Sequence, residues 1–177
     1  MVDVAAKGVT LREASASGLV RMSPATLAQV TGAGTHKGNV LEVARLAGIM
    51  AAKRTGELIP LCHPIGLDGA EIDFAAVGET GLSITSRVRT TGRTGVEMEA
   101  LTAVAVAALT VIDMVKSVDR GVEIEGVRLD SKSGGQSGNW RRSDLPTDAA
   151  TSERDQVPPG GSDSPAHGTK DRGNESG

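Results

Sequence analysis

Residues 96–118 form the most constraining stretch of this chain: Ala and Val recur on nearly every face of the helix they predict, as in a helix buried on most sides. A single small domain can hardly cover such a helix, so a second subunit is expected against it. Its start carries Glu97 and Glu99, and its end carries Asp113 and Lys116. Thr94 followed three residues later by Glu97 reads as a capping box, which alone would account for Glu97. Asp113 and Lys116 are i,i+3 neighbours, an acid and an ammonium able to exchange protons, although an ordinary surface ion pair has the same spacing. Glu97 and Asp113 stand 16 positions apart, about 24 Å along a helix. They cannot share a compact site within one chain. Either the two polar ends are unrelated, or antiparallel helices of two subunits bring one start to the other's end, and the second arrangement is favoured.

The flanking sequence supplies a sheet for this helix. Apolar residues fall at alternate positions over 9–22, which predicts a strand, and Ser23-Pro24 predicts a capped helix running to about Val30. Gly32, Gly34 and Gly38 frame a loop holding His36 and Lys37. Asn39 then opens a helix with Val40, Val43, Ala44, Ala47 and Met50 at helical spacing, closed by Lys53 and Arg54 in favour of its dipole. Two prolines make 59–65 an extended, partly buried loop. Strands are predicted over 70–76, 82–89 and 122–129. Strands punctuated by two main helices indicate an α+β fold, an antiparallel sheet with helices packed on one face. With one Phe, one Trp and no Tyr, its core must be built from Ala, Val, Leu and Ile.

After Trp140 the composition turns polar, and residues 141–177 read as a disordered tail behind a domain of residues 1–140. Without the tail the chain carries 14 basic and 15 acidic residues, which points to no nucleic-acid or membrane surface. Cys62 is the only cysteine, no apolar run reads as a membrane span, and the N-terminus lacks signal-peptide character, so a cytoplasmic protein is expected.

Two lysines sit beside glycines, Lys37 before Gly38 and Lys132 ahead of Gly134-Gly135, where flexible backbone suits a phosphate. The second is not a P-loop, because its lysine precedes the glycines, and from the residues alone a linker to the tail is the preferred reading. His63, flanked by Cys62 and Pro64, lacks zinc-ligand spacing. A buried structural role and a ligand-binding role suit it equally. His36 is a candidate for the same pocket, and His167, in the tail, has no assigned role.

Together, His36-Lys37-Gly38, Ala51-Ala52-Lys53-Arg54-Thr55, Leu58-Ile59-Pro60-Leu61-Cys62-His63-Pro64, Thr94-Gly95-Val96-Glu97-Met98-Glu99-Ala100-Leu101-Thr102, Asp113-Met114 with Lys116, and Lys132-Ser133-Gly134-Gly135 closely resemble the cyclic pyranopterin monophosphate synthase family, the molybdenum cofactor biosynthesis protein C family. The similarity runs from Met1 to about Gly138. It implies a ferredoxin-like α+β fold in a homohexamer, a trimer of dimers, with substrate sites at the dimer interface. It implies a lyase that converts 3′,8-cyclo-7,8-dihydroguanosine 5′-triphosphate to cyclic pyranopterin monophosphate and pyrophosphate, an early step of molybdenum cofactor biosynthesis. Carried over by position, Asp113 and Lys116 match the acid/base pair, Leu61, Cys62, His63, Met98 and Glu99 match substrate-contacting segments, and Lys37 and Lys132 match basic site residues. Arg12 is a weaker candidate for a phosphate contact. No resident cofactor or protein-bound metal is implied, and magnesium accompanying the triphosphate is compatible with this reading. The family pattern also leads us to expect a short segment ahead of Met1-Val2-Asp3-Val4, from an upstream start. The non-enzymatic alternative, a nucleotide-binding oligomer, needs the phosphate-holding lysines but not the acid/base pair.

Overall fold

The computed structural model describes residues 1–32 and 35–142. Gly34, His167 and the predicted tail beyond residue 142 lie outside the described residues.

Strand β1 (Thr10–Arg21) is the centre of a five-stranded antiparallel sheet. It pairs on one side with β3 (Gly81–Gly92), from Thr10 opposite Gly92 to Arg21 opposite Gly81. On its other side lies β4 (Glu123–Ser133), with register shifts near Ser15 and Ser17. Strand β2 (Gly69–Val77) forms a hairpin with β3 through Gly78, whose φ of 59° needs a residue without Cβ. A two-residue β5 (Trp140–Arg141) completes the order β2-β3-β1-β4-β5.

Two caps are formed as the sequence predicts. The Ser23 hydroxyl accepts from Thr26 N at 3.3 Å to open α1 (Pro24–Thr31), and the Asn39 side chain accepts from Glu42 N at 3.1 Å to open α2 (Val40–Lys53). A short α3 (Thr55–Leu58), a stretch to which the sequence reading assigned no element, begins where Arg54 ends α2. The long helix α4 spans Glu97–Val115, three residues shorter at its C-terminal end than its apolar run suggests. Its capping box is not formed. Val96 occupies the N-cap without a side-chain bond, and the Glu97 carboxylate turns away to Lys132.

Alternation along β1 sends Ala14, Ala16 and Val20 to one face, where Leu82, Ile84 and Val88 of β3 join them. Helix α4 covers that face with Ala100, Ala103, Val104, Ala107 and Val111, all fully buried. Helix α2 lies alongside. Small residues permit the close approach: a Cβ on Gly18 would fall 2.8 Å from Val104 Cγ1, and one on Gly48 would fall 2.7 Å from Ala103 O. By length and composition α4 could cross a membrane, contrary to the expectation that no run here would; its burial against the sheet accounts for its apolar sequence. Val43, Leu46 and Met50 of α2 and Leu109 of α4 remain exposed.

Candidate active site

The polar groups gather at the two ends of α4. At its C-terminal end Asp113 sits between two ammonium groups: Lys116 Nζ lies 2.7 Å from Oδ1, and Lys37 Nζ lies 3.2 Å from Oδ2. Lys37, carried by the turn at Thr35 and Gly38, also donates to the Asp113 carbonyl at 2.8 Å. Both cations thereby face the negative end of the helix dipole. Hydrogen bonds from Lys116 and then Lys37 hold the Asp113 carboxyl below the usual carboxylate range, so it is ionised at neutral pH. The cluster is solvent-accessible, open to a ligand, and couples a carboxylate to two proton donors.

At the N-terminal end a pocket of about 350 Å³ is lined by Leu61, Cys62, His63, Ile65, Met98 and Glu99, with Glu97, Thr94, Lys7 and the N-terminal Val2 and Val4 closing it. Here the proline-bounded loop after α3 meets the first turn of α4. Leu61 is 71% exposed although it lines the pocket, an apolar side chain held out for a ligand rather than for the core. Glu99 is buried, and its Oε1 has no hydrogen-bond partner among the described residues. Burial pushes its pKa upward, a hydrogen bond from its own backbone N–H opposes this, and the charge of Glu97 adds a smaller upward push. Burial, with Glu99 next, likewise pushes the Cys62 thiol up, which suits a neutral contact rather than a nucleophile.

The basic rim of this pocket comes from the sheet. Lys132 lies on β4 and reaches Glu97 Oε1 at 3.2 Å and Ser137 Oγ at 3.1 Å. The reading of this segment as a plain linker is overturned: Lys132 pairs with Trp140, and Ser131 with Arg141, across a turn containing Gly134, Gly135 and Gly138, all at positive φ. The paired chain thus continues past the boundary drawn at residue 140, and Arg142 Nε donates to Leu129 O at 2.7 Å. Arg12 on β1 donates from Nε to Gly92 O at 3.0 Å and lies against Gly135.

The structure therefore brings Leu61, Cys62, His63, Met98 and Glu99 around one pocket, ties Lys132 to its rim and sets Arg12 beside the turn that follows. It brings Lys37, Asp113 and Lys116 together at the opposite end of α4, and within one chain it does not join the two groups. His36 does not line the pocket of His63; it is exposed beside Lys37. Lys7 was missed, although it stands before Gly8, the same signal that singled out Lys37 and Lys132. Ser137 and the salt-bridging role of Glu97 had no local signal, since both depend on the β4–β5 turn. Among the described residues no group of three or more His, Cys, Asp or Glu side chains is placed to hold a metal ion.

An antiparallel α+β domain presents a carboxylate between two lysines at one end of its long helix and a pocket of imidazole, thiol and buried carboxyl at the other, groups chemically suited to a small anionic molecule. The chain belongs to the MoaC family, which it matches over residues 1–135. It is 56% identical over 156 residues to cyclic pyranopterin monophosphate synthase 3 of Mycobacterium tuberculosis H37Rv, covering 86% of this chain and 88% of that one. It is 57% identical over 143 residues to cyclic pyranopterin monophosphate synthase of Streptomyces coelicolor, covering 81% of this chain and 84% of the relative. The same figures hold for cyclic pyranopterin monophosphate synthase 1 of Mycobacterium tuberculosis H37Rv. The family resemblance seen in the motifs is thereby borne out.

Proposed function

We propose that this protein is a cyclic pyranopterin monophosphate synthase, a lyase of early molybdenum cofactor biosynthesis that converts 3′,8-cyclo-7,8-dihydroguanosine 5′-triphosphate to cyclic pyranopterin monophosphate and pyrophosphate. One observation carries the reading: Asp113 is held ionised between Lys37 and Lys116, an arrangement a binding module has no use for. Rearranging the purine-derived rings needs repeated proton transfers, and Asp113 accepts while Lys116 donates. Expelling pyrophosphate places negative charge on leaving oxygens, which Lys37, Lys132 and Arg12 offset. His63 and Glu99 orient the rings, and Leu61, Cys62 and Met98 supply the apolar walls.

Because the two groups lie at opposite ends of α4, each site takes its acid/base cluster from one protomer and its ring pocket from a neighbour. The β-α-β-β-α-β succession and the order β2-β3-β1-β4 support a ferredoxin-like arrangement. The exposed Val43, Leu46, Met50 and Leu109 support a contact with further subunits, and the homohexamer, a trimer of dimers with sites at the dimer interface, is what the family resemblance implies. The reading needs no resident cofactor, and magnesium enters it only as a companion of the triphosphate. A free Cys62 suits a cytoplasmic enzyme.

The test is incubation of the purified full chain with the cyclised dihydro-GTP substrate, following pyrophosphate and cyclic pyranopterin monophosphate together, with Lys116→Ala as control. Product that disappears in the variant supports the synthase and its lysine. A well-folded oligomer that makes none refutes the reading.

A further inference from the structure

Gly135 lies outside the residues assigned above, yet its position bears on one of them. Its φ is +74°, and a Cβ built there would fall 2.8 Å from Arg12 Cζ and 3.0 Å from Nη2, inside the volume the guanidinium occupies. The guanidinium is pinned at Nε, which donates to Gly92 O at 3.0 Å, the only side-chain hydrogen bond Arg12 makes among the described residues. Neither Nη group has a hydrogen-bond partner there, and Nη1 is the atom nearest to the place a Gly135 Cβ would take. The adjoining Gly134 does a different job, since a Cβ there would meet the backbone of Leu11 and obstruct the chain itself. Gly138, three residues on, shares the positive φ at +64° but faces open space.

We propose that Gly135 is a positioning residue for the triphosphate: its missing side chain makes the seat that holds the Arg12 guanidinium, whose unpartnered Nη groups then reach phosphate oxygens. The inference rests on the reading of Arg12 as a phosphate contact. The atom a side chain would displace is the tip of a flexible arginine. A methyl group at Gly135 therefore costs the fold little beyond the backbone strain that Gly138→Ala also incurs, while it removes Arg12 from its seat. Stability and anion affinity separate at this one residue, and a purely structural glycine would not separate them.

The test is calorimetric titration of the full-length protein with inorganic pyrophosphate, for wild type, Arg12→Ala, Gly135→Ala, Gly138→Ala and the Arg12→Ala/Gly135→Ala double variant, with thermal unfolding of each. Gly135→Ala is expected to weaken pyrophosphate binding about tenfold, as Arg12→Ala does, the typical loss for one charge-assisted hydrogen-bonding group. Gly138→Ala is expected to bind as wild type at the same melting temperature as Gly135→Ala. The double variant is expected to bind no more weakly than Arg12→Ala alone, since the two changes remove one interaction. Full affinity in Gly135→Ala beside a loss in Arg12→Ala overturns the positioning role alone, as do additive losses in the double variant. Unchanged affinity in Arg12→Ala overturns it together with the phosphate reading of Arg12. Should Gly135→Ala fold poorly, Gly135→Asn against Gly138→Asn repeats the comparison with a residue that tolerates positive φ.

Discussion

Replacing Glu99 with glutamine separates what this buried carboxyl costs the fold from what it does in the pocket. Glu99 is 2% exposed, its Oε1 has no hydrogen-bond partner among the described residues, and burial, opposed by its own backbone N–H and helped by the Glu97 charge, pushes its pKa upward. The folded protein thus keeps the proton to higher pH than the unfolded chain, where a glutamate titrates near about 4.3. Above that value the native state binds more protons than the unfolded state, so stability falls as pH rises, and the loss persists above the native pKa. A neutral amide of the same shape escapes this penalty. A buried unpartnered polar group costs about 1–3 kcal/mol, more when charged, and the amide's own imperfect pairing cancels part of the gain. The expected benefit of Glu99→Gln is therefore about 1–2 kcal/mol near pH 8 and almost nothing near pH 4.5, with about 3–5 °C in Tm per kcal/mol for a domain of this size. Differential scanning calorimetry of both proteins at the two pH values, at matched concentration, measures the gap, and the effects of other carboxylates cancel in the difference. Turnover in the same variant should fall at least tenfold, because the amide offers a different set of donors and acceptors to the rings that Glu99 orients. A Tm gap that does not widen with pH would refute the reasoning, because the carboxyl would then have a partner or carry no burial penalty.

Other expectations follow from single contacts. Lys116→Ala and Asp113→Ala should each lower turnover by about 10²–10⁴-fold while leaving Tm nearly unchanged, since both side chains are exposed; steady-state pyrophosphate release with parallel melting curves checks this. The Asp113 carboxyl should titrate below the ordinary range in wild type and move back toward it in Lys116→Ala, as read by carboxyl carbon chemical shifts. Because its pKa is lowered, its contribution to stability is present above about pH 4, the unfolded value, and is lost as pH falls through the native value. Gly48→Ala should destabilise by about 1–3 kcal/mol in chemical denaturation, because its Cβ would press on Ala103 O, a backbone atom of α4 that cannot move aside alone.

Much of this architecture is legible in local pattern. Alternation marks β1, and Ser23 and Asn39 mark their helices because a capping side chain acts within three residues of its own position. The capping-box signature at Thr94 failed because the helix starts two residues later: with Val96 at the N-cap, Glu97 is the first helical residue rather than the third, and its carboxylate pairs with Lys132, brought over by β4. The Gly134–Gly138 turn was misread for a related reason. Its glycines and serines have linker composition, and only the pairing of Trp140 with Lys132 distinguishes a hairpin from a tail. Within the site, Asp113 with Lys116 could be read from i,i+3 spacing, whereas Lys37 reaches them from 76 residues away. The charge balance of a buried acid such as Glu99 likewise depends on what packs around it.

The rigidity of α4 keeps its two polar ends apart within one chain. No loop motion can bring the Asp113 cluster to the Glu99 pocket, because the rod between them is the core: Ala103, Val104, Ala107, Ala108 and Val111 are fully buried, and bending the helix would expose them. If one reaction uses both ends, two chains must supply them. Mixing then has a numerical signature. Lys116→Ala and Glu99→Ala proteins should each show little activity alone, but after they are unfolded together in equal amounts and refolded, random pairing across a two-fold interface leaves about a quarter of the sites with both residues intact. Activity should return to about that fraction of wild type, while equal amounts of the two variants refolded separately and then combined without exchange should stay inactive. Recovery near zero in a mixture shown by mass spectrometry to contain mixed oligomers would mean that each chain's two polar ends serve separate purposes.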